Sequence, residues 1–323
     1  PAKLIDVFKV LQPQGNVSSL QLNIGDFAQP TLDWSVEANF DQVQVQSWRG
    51  APGVTSGSGY MELSPGDGYV VLDSQQLSME FPTIFDEALN FADIHGTLNI
   101  AWDAQDLVLS SGLITAQAQE GAAQVLFGLN IPLAPTEVGL EMDLMVGLEN
   151  SHPKYRDKYI PFILNKSLRD WLAGSVGEGD LQQTGFIWRG SLRRGATPLR
   201  TVQLFLNIQD TELDYHPDWP AIQGIDGVVL ISDTDVSVWA EQARLYDSHV
   251  EQLSAEAWMN DSRQIMLAID ARMSGDATDG LRVINESLLG PLAGNAFANW
   301  EANGGLETRL GLVLNLADKT IPP

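Results

Sequence analysis

The 323-residue sequence has no cysteine, which excludes disulfides, thiolate metal sites and cysteine nucleophiles at once. Cations are also scarce: 18 Lys+Arg stand against 42 Asp+Glu, for a net charge of −24. Counterion release from nucleic acid and attraction to anionic lipid faces both require cations. Nucleic acid is therefore not an expected partner, and the acid excess reads as ordinary solubility. No run approaches the roughly 18 apolar residues of a membrane helix, and no charged segment followed by an apolar stretch marks a signal peptide. The chain opens PAKLIDVF, without an initiating Met, as an internal piece of a longer protein would.

Catalytic signatures are equally sparse. His95, His152, His216 and His249 are scattered, and none has the spacing of a metal-binding helix. There is no Gly-x-Ser-x-Gly elbow. The Gly-rich SGSGYMELSPGDGY lacks dinucleotide-loop spacing and reads as hairpin turns. Asp233 with Asp235, and Asp276 with Asp279, lack the rest of a calcium loop and read as solvated turns. Asp214 and Asp218 lie beside Tyr215 and Trp219, a combination that suits sugar binding. A carbohydrate-binding protein therefore stays open as an alternative, as does a scaffold that binds nothing. No enzyme, cofactor or metal is expected.

What the sequence has in quantity is alternation. Hydrophobic residues make up 44% of the chain and charged residues 19%, as in folded proteins. Leu98, Ile100 and Trp102 recur at period two, as do Val125, Phe127, Leu129 and Ile131. So do Val202, Leu204, Leu206 and Ile208; Ile265, Leu267 and Ile269; and Leu310, Leu312 and Leu314. Each run describes an antiparallel strand with one dry face and one wet face. Turn clusters such as SPGDG, GEGD, MNDS and SGDATDG separate the runs, so the fold class is mainly β.

Helical spacing appears in three places: AKLIDVFKVL, YIPFILNKSLRDWLAGSV and DGLRVINESLLGPLAGNAFANW. Each precedes a Gly turn and a strand, as in a long degenerate repeat. The second helix carries Lys166 and Arg169, with Arg156 and Lys158 just before it, a local basic patch in an acidic chain. It suits either a headgroup contact or a helix laid across a sheet end. A dry sheet face needs a cover, and periodicity alone leaves two: a second sheet, as in a sandwich, or lipid.

The stretch YIPFILNKSLRDWLAGSVGEGDLQQTGFIWRGSL, followed by LFLNIQDTELDYHPDWPAIQGIDGVVLI, resembles the YhdP family of the AsmA-like group, which also includes TamB. SGYMELSPGDGYVVLDSQQLSMEFPTIFDEAL, LQPQGNVSSLQLNI and INESLLGPLAGNAFANWEANGGLETRLGLVLNL add to the likeness, whereas about 103–150 contributes only alternation. The resemblance implies a long, curled, groove-like antiparallel sheet with short amphipathic helices between its units. It implies units over 1–154, 155–280 and 281–323. It also implies an inner-membrane-anchored protein of the Gram-negative periplasm that conducts phospholipid toward the outer membrane. Acyl chains would then lie on the runs named above. The other partners would be the rest of the same chain and the membranes at its ends.

Overall fold

The computed structural model describes residues 10–25, 33–48, 51–82, 84–160, 170, 173–193, 195, 197–214, 219–287 and 289–315. The mainly β expectation holds: sixteen strands form one antiparallel sheet with few and short helices. The chain divides into two compact units. One comprises Pro1–Glu149, Lys158–Leu164 and Phe186–Thr201; the other comprises Asn150–Asp157, Asn165–Gly185 and Val202–Pro323.

The first unit is built on β1 (Gln14–Ile24), β2 (Trp34–Val45), β3 (Gly53–Ser64), β4 (Asp67–Glu80), β5 (Leu89–Trp102), β6 (Asp106–Ser111), β7 (Ile114–Ala118), β8 (Gly121–Pro132) and most of β9 (Glu141–Ser151). Hydrogen-bonded neighbours run β1-β2-β3-β4-β5-β6-β8-β9. β6 pairs with β5 through Leu98–Trp102, while β7 pairs with it through Asp93–His95. The two short strands thus act as halves of one, broken at Gly112 and Leu113. β3 and β4 meet at the SPGD turn, so the Gly-rich segment there is a hairpin as expected.

β10 (Asp180–Ser191) and β11 (Arg200–Leu213) follow. The second unit continues through β12 (Ile222–Ser232), β13 (Asp235–Leu245), β14 (Ser248–Met259), β15 (Ile265–Asp276) and β16 (Gly305–Asn315). The helices include α1 (Arg156–Tyr159), α2 (Ala277–Asn285) and α3 (Leu289–Leu292). α2 and α3 fall in the third helical stretch of the sequence. Most of the first stretch and most of the second lie outside the described residues.

A feature absent from the sequence reading organises both units. Strand after strand carries a β-bulge at its middle, with a residue in the left-handed region. In the first unit these residues are Ser19, Gln42, Ser56 and Gln76, with φ of 51°, 53°, 63° and 56°. In the second they include Asp210, Gly224 and Gln252, with φ of 47°, 58° and 53°. Pairing registers shift at most of these points, between Phe40 and Val43, Ile208 and Thr211, and Glu251 and Ser254 among others. A bulge inserts one residue, so it moves the alternation by one and bends the strand. The sequence moves in step: Phe40 is followed by Val43, Ile208 by Thr211, Ile222 by Ile225, and Ala240 by Ala243. One apolar face is thereby kept on both sides of each bulge.

The bulges have a repeating hydrogen-bond cap. The Gln42 amide donates to Ser58 Oγ at 3.1 Å, and the Ser58 amide donates to Ser74 Oγ at 2.8 Å. In the second unit the Asp210 amide donates to Asp226 Oδ1 at 2.8 Å, and Gln242 donates to the other oxygen of that carboxylate. Each link spans 16 residues, one strand plus its turn. The displaced groups thus find partners in the neighbouring strand, as polar groups in partly buried backbone must. The best-buried apolar residues cluster near these bulges: Leu77, Ile94, Ile114 and Ala116 in the first unit, and Ile225, Ala240, Ala243, Val250 and Ala271 in the second.

Candidate functional site

Directly paired residues of neighbouring strands share a face, so the registers place the alternating runs. In the second unit one row passes through Leu206, Val229, Val238, Ala255, Ile269 and Leu312, one residue from each of six strands. Beside it runs Leu204, Ile231, Val236, Ala257, Leu267 and the backbone of Leu314. Val202 and Ile208 alternate onto the same face, as does Ile265. Leu310 pairs with Ala271 there. The first unit has an equivalent row through Leu22, Val36, Leu63, Gly68, Ile100, Leu109, Leu129 and Met142. Leu98 pairs with Val70, Trp102 with Leu107, Phe127 with Leu144, and Val125 with Val146. None of these residues carries a charge.

The two possible covers of this face predict different burial. Within a sandwich the large side chains would be sealed. Here only Leu77, Ile94, Ile114, Ile225 and Val250 are buried apolar residues larger than alanine, among the described residues. Leu98, Ile100, Trp102, Val125, Phe127, Leu129, Val202, Leu204, Leu206, Ile208, Leu267, Ile269, Leu310 and Leu312 are all half-buried, and Ile265 is 49% exposed. The Leu314 side chain lies outside the described residues. In each unit, then, the rows form an apolar surface that no second protein layer seals among the described residues.

The opposite face is mixed, with polar and charged side chains beside apolar ones such as Phe205, Leu230 and Trp239. In the first unit a hollow of about 320 Å³ opens there, lined by Glu62, Asp67, Tyr69, Asn99 and Ser110 among others. The Tyr69 hydroxyl donates to Glu62 at 2.7 Å, and chiefly for that reason its pKa is pushed up to about 12. Burial, with the charges of Glu37 and Glu62, raises Tyr60 as well. His95 lies between Asp73 and Asp93, at 3.1 and 2.7 Å.

The remaining candidates have structural partners. Asp276 caps α2 by accepting from the Thr278 amide at 2.7 Å, which holds its carboxyl below the usual range. Asp279 is buried and accepts from Ser248 Oγ at 2.7 Å and the Asp247 amide at 3.1 Å. Asp233 accepts from the Val202 amide at 2.8 Å. His152 lies 2.7 Å from Asp180. His249, next to the buried Ser248 on β14, pairs in backbone register with Arg244 and Ser274. Tyr215, His216 and Asp218 lie outside the described residues. No group of metal-binding side chains occurs among the described residues.

Parts of the basic patch are also engaged internally. Lys158 is paired with the buried Glu120 at the β7–β8 turn. The Arg156 guanidinium donates to the carbonyls of Ala173, at 2.6 Å, and Pro153, at 3.4 Å. Lys166 and Arg169 lie outside the described residues. For Arg156 and Lys158 the geometry is that of a segment fastened to its own unit.

α2 lies against the apolar face in the second unit. A Cβ on Gly280 would collide with Leu306, and Met273 Cε lies 3.8 Å from the same point. Both of those side chains share the face of Ala271 and Leu310. The helix is fastened by Arg282, whose guanidinium sits 3.7 Å from the Tyr246 ring centre and 3.2 Å from Glu286 Oε1. The Tyr246 hydroxyl donates to the other Glu286 oxygen at 2.8 Å.

No helix among the described residues is long and apolar enough to cross a membrane. No curated protein and no solved structure matches the chain. A family model does: the one described as YhdP protein, over residues 1–322. That span takes in all sixteen strands and both apolar faces, and by it the chain belongs to the YhdP family.

Proposed function

We propose that the chain is a non-enzymatic, lipid-conducting segment of an AsmA-like protein, and that its apolar sheet face carries phospholipid acyl chains. The observation that supports this reading is the apolar rows of each unit: continuous across strands, free of charge, and only half-buried. Each methylene withdrawn from water onto such a surface contributes about 0.8 kcal/mol, without any directed hydrogen bond. Rows of Leu, Ile, Val and Phe offer many equivalent positions and no deep trap, which suits movement along the face. Headgroups would remain at its edge in water. Membership of the YhdP family supports placing the chain in the periplasm of a Gram-negative bacterium, in a longer protein anchored in the inner membrane. The occupants of the face are then phospholipids on the way to the outer membrane.

The test is lipid recovery. The protein is purified in mild buffer and extracted with organic solvent, and the extract is analysed by mass spectrometry. A Leu204→Asp, Leu267→Asp, Leu312→Asp variant, verified as folded, serves as control. Phospholipid near stoichiometric amounts in the wild type, lost from the control, is the expected result. A lipid-free wild type, or equal lipid in both, would sink the proposal.

A further inference from the structure

We propose that Arg200 and Trp188 form a phosphate-binding subsite at the edge of the first unit's apolar face, which receives the headgroup of a phospholipid whose chains lie on that face. This subsite presupposes the lipid-carrying reading above and adds a headgroup contact to it.

Arg200 is the first residue of β11 and, like Trp188, belongs to the first unit. Trp188 reaches that unit's apolar face from β10. Its neighbour Arg189 points the other way, toward Asp143 at 3.4 Å, and Asp143 alternates with the apolar-face residues Met142 and Leu144. The Arg200 guanidinium stacks over the Trp188 ring, 4.9 Å from its centre. The indole itself is steadied by donating to the Gly190 carbonyl at 3.3 Å.

Two properties suit this cation to an anion. It is a charge at the end of rows that are otherwise uncharged. It also has no carboxylate or carbonyl partner among the described residues; Arg244, Arg263 and Arg272 share that lack, but Arg200 alone of the four is stacked on an aromatic ring there. Stacking uses the face of a guanidinium and leaves its in-plane donors free. A phosphodiester offers two oxygens that match this fork and make charge-assisted bonds. Burial of acyl chains cannot distinguish one headgroup from another, because it scales with apolar area alone. A half-buried arginine beside that area supplies the distinction.

The experiment loads the purified chain from phosphatidylcholine vesicles doped with either of two chain-labelled probes. One is phosphatidylglycerol; the other is diacylglycerol with the same chains and no phosphate. Lipid bound per protein is read after gel filtration. Arg200→Gln should lower bound phosphatidylglycerol about tenfold, the worth of a lost charge-assisted contact, and leave diacylglycerol unchanged. Arg200→Lys, which keeps the charge but not the fork, should recover part of the loss. Equal loss of both probes, or loss of neither, would overturn the subsite while leaving the apolar face as a lipid carrier. Binding of neither probe by the wild type would remove the carrier reading and the subsite with it. Excess inorganic phosphate should leave bound phosphatidylglycerol in place. If it instead abolished the difference between the probes, the site would be one for free phosphate, and the lipid assignment would fail.

Discussion

Ser74 is 1% exposed, and its hydroxyl is the group that lets β3 change phase. Its hydroxyl accepts from the Ser58 amide and donates to the Ser58 carbonyl at 2.9 Å. Ser56, two residues earlier, sits at φ 63°, a conformation that costs a non-glycine residue on the order of 1–2 kcal/mol. The strain persists because the neighbouring strand satisfies the groups it displaces. Ser74→Ala would leave a partly buried amide without its acceptor, at a cost of about 1–3 kcal/mol. A urea midpoint shifted down by that free energy divided by the m-value, with the m-value itself unchanged, is the expected outcome. A shift within error would mean that water replaces the hydroxyl.

At the scale of elements, the fastening of α2 depends on proton positions. Burial, and then the hydrogen bond to Glu286, raise Tyr246 from 10.0 to about 12. The hydroxyl is therefore harder to ionise in the folded chain than in the unfolded one. Its contribution to stability is complete below about pH 10 and is lost as pH climbs through about 12. Glu286 moves the other way: Tyr246 first, then Arg282, hold its carboxyl below the ordinary 4.5. Its contribution is present above that value and is lost as pH falls through the depressed one. Amide exchange in α2 should accelerate at both extremes while remaining slow between them. Tyr246→Phe should flatten the alkaline limb, since no phenol remains to ionise. An unchanged alkaline limb in that variant would place the sensitive group elsewhere.

For the whole molecule, the distinction that matters is between the two faces of the sheet. Apolar side chains occur on both: Leu126, Met145 and Val313 are exposed on the mixed side, at 40%, 52% and 68%. Leu126 and Met145 pair with each other, and Val313 pairs with Ala268, which pairs in turn with Glu256, whereas the rows through Leu206 and Ile100 are continuous across the strands. Hydroxyl-radical labelling should separate them. In protein stripped of lipid, residues on both faces should label. With phospholipid restored, Leu204, Leu267 and Phe127 should be protected while Met145 and Val313 are not. Equal protection of both faces would indicate aggregation rather than a lipid-bearing surface.

Much of this was legible in the sequence, for a physical reason. Strand periodicity is local: a half-wet strand must alternate, so the runs at 98–102, 202–208 and 310–314 announced their common faces directly. The turns at SPGD and MNDS, and the helical stretch around Ala277, were visible for the same reason. The phase changes were visible too, as Phe40 then Val43 or Ile222 then Ile225, but each could as well have been a strand end. Only pairing with the next strand turns such a break into a bulge, and only the sixteen-residue hydrogen-bond links show that the bulges form a row. The partners of Lys158 and Asp279 were likewise out of reach, since each lies more than 30 residues away. Arg200 looked like any other arginine until β10 brought Trp188 beneath it. The sequence by itself determined that this chain makes strands with one apolar face. Whether that face is sealed by protein or left open is a property of burial, which depends on contacts distant in the chain, and only the tertiary structure decided it.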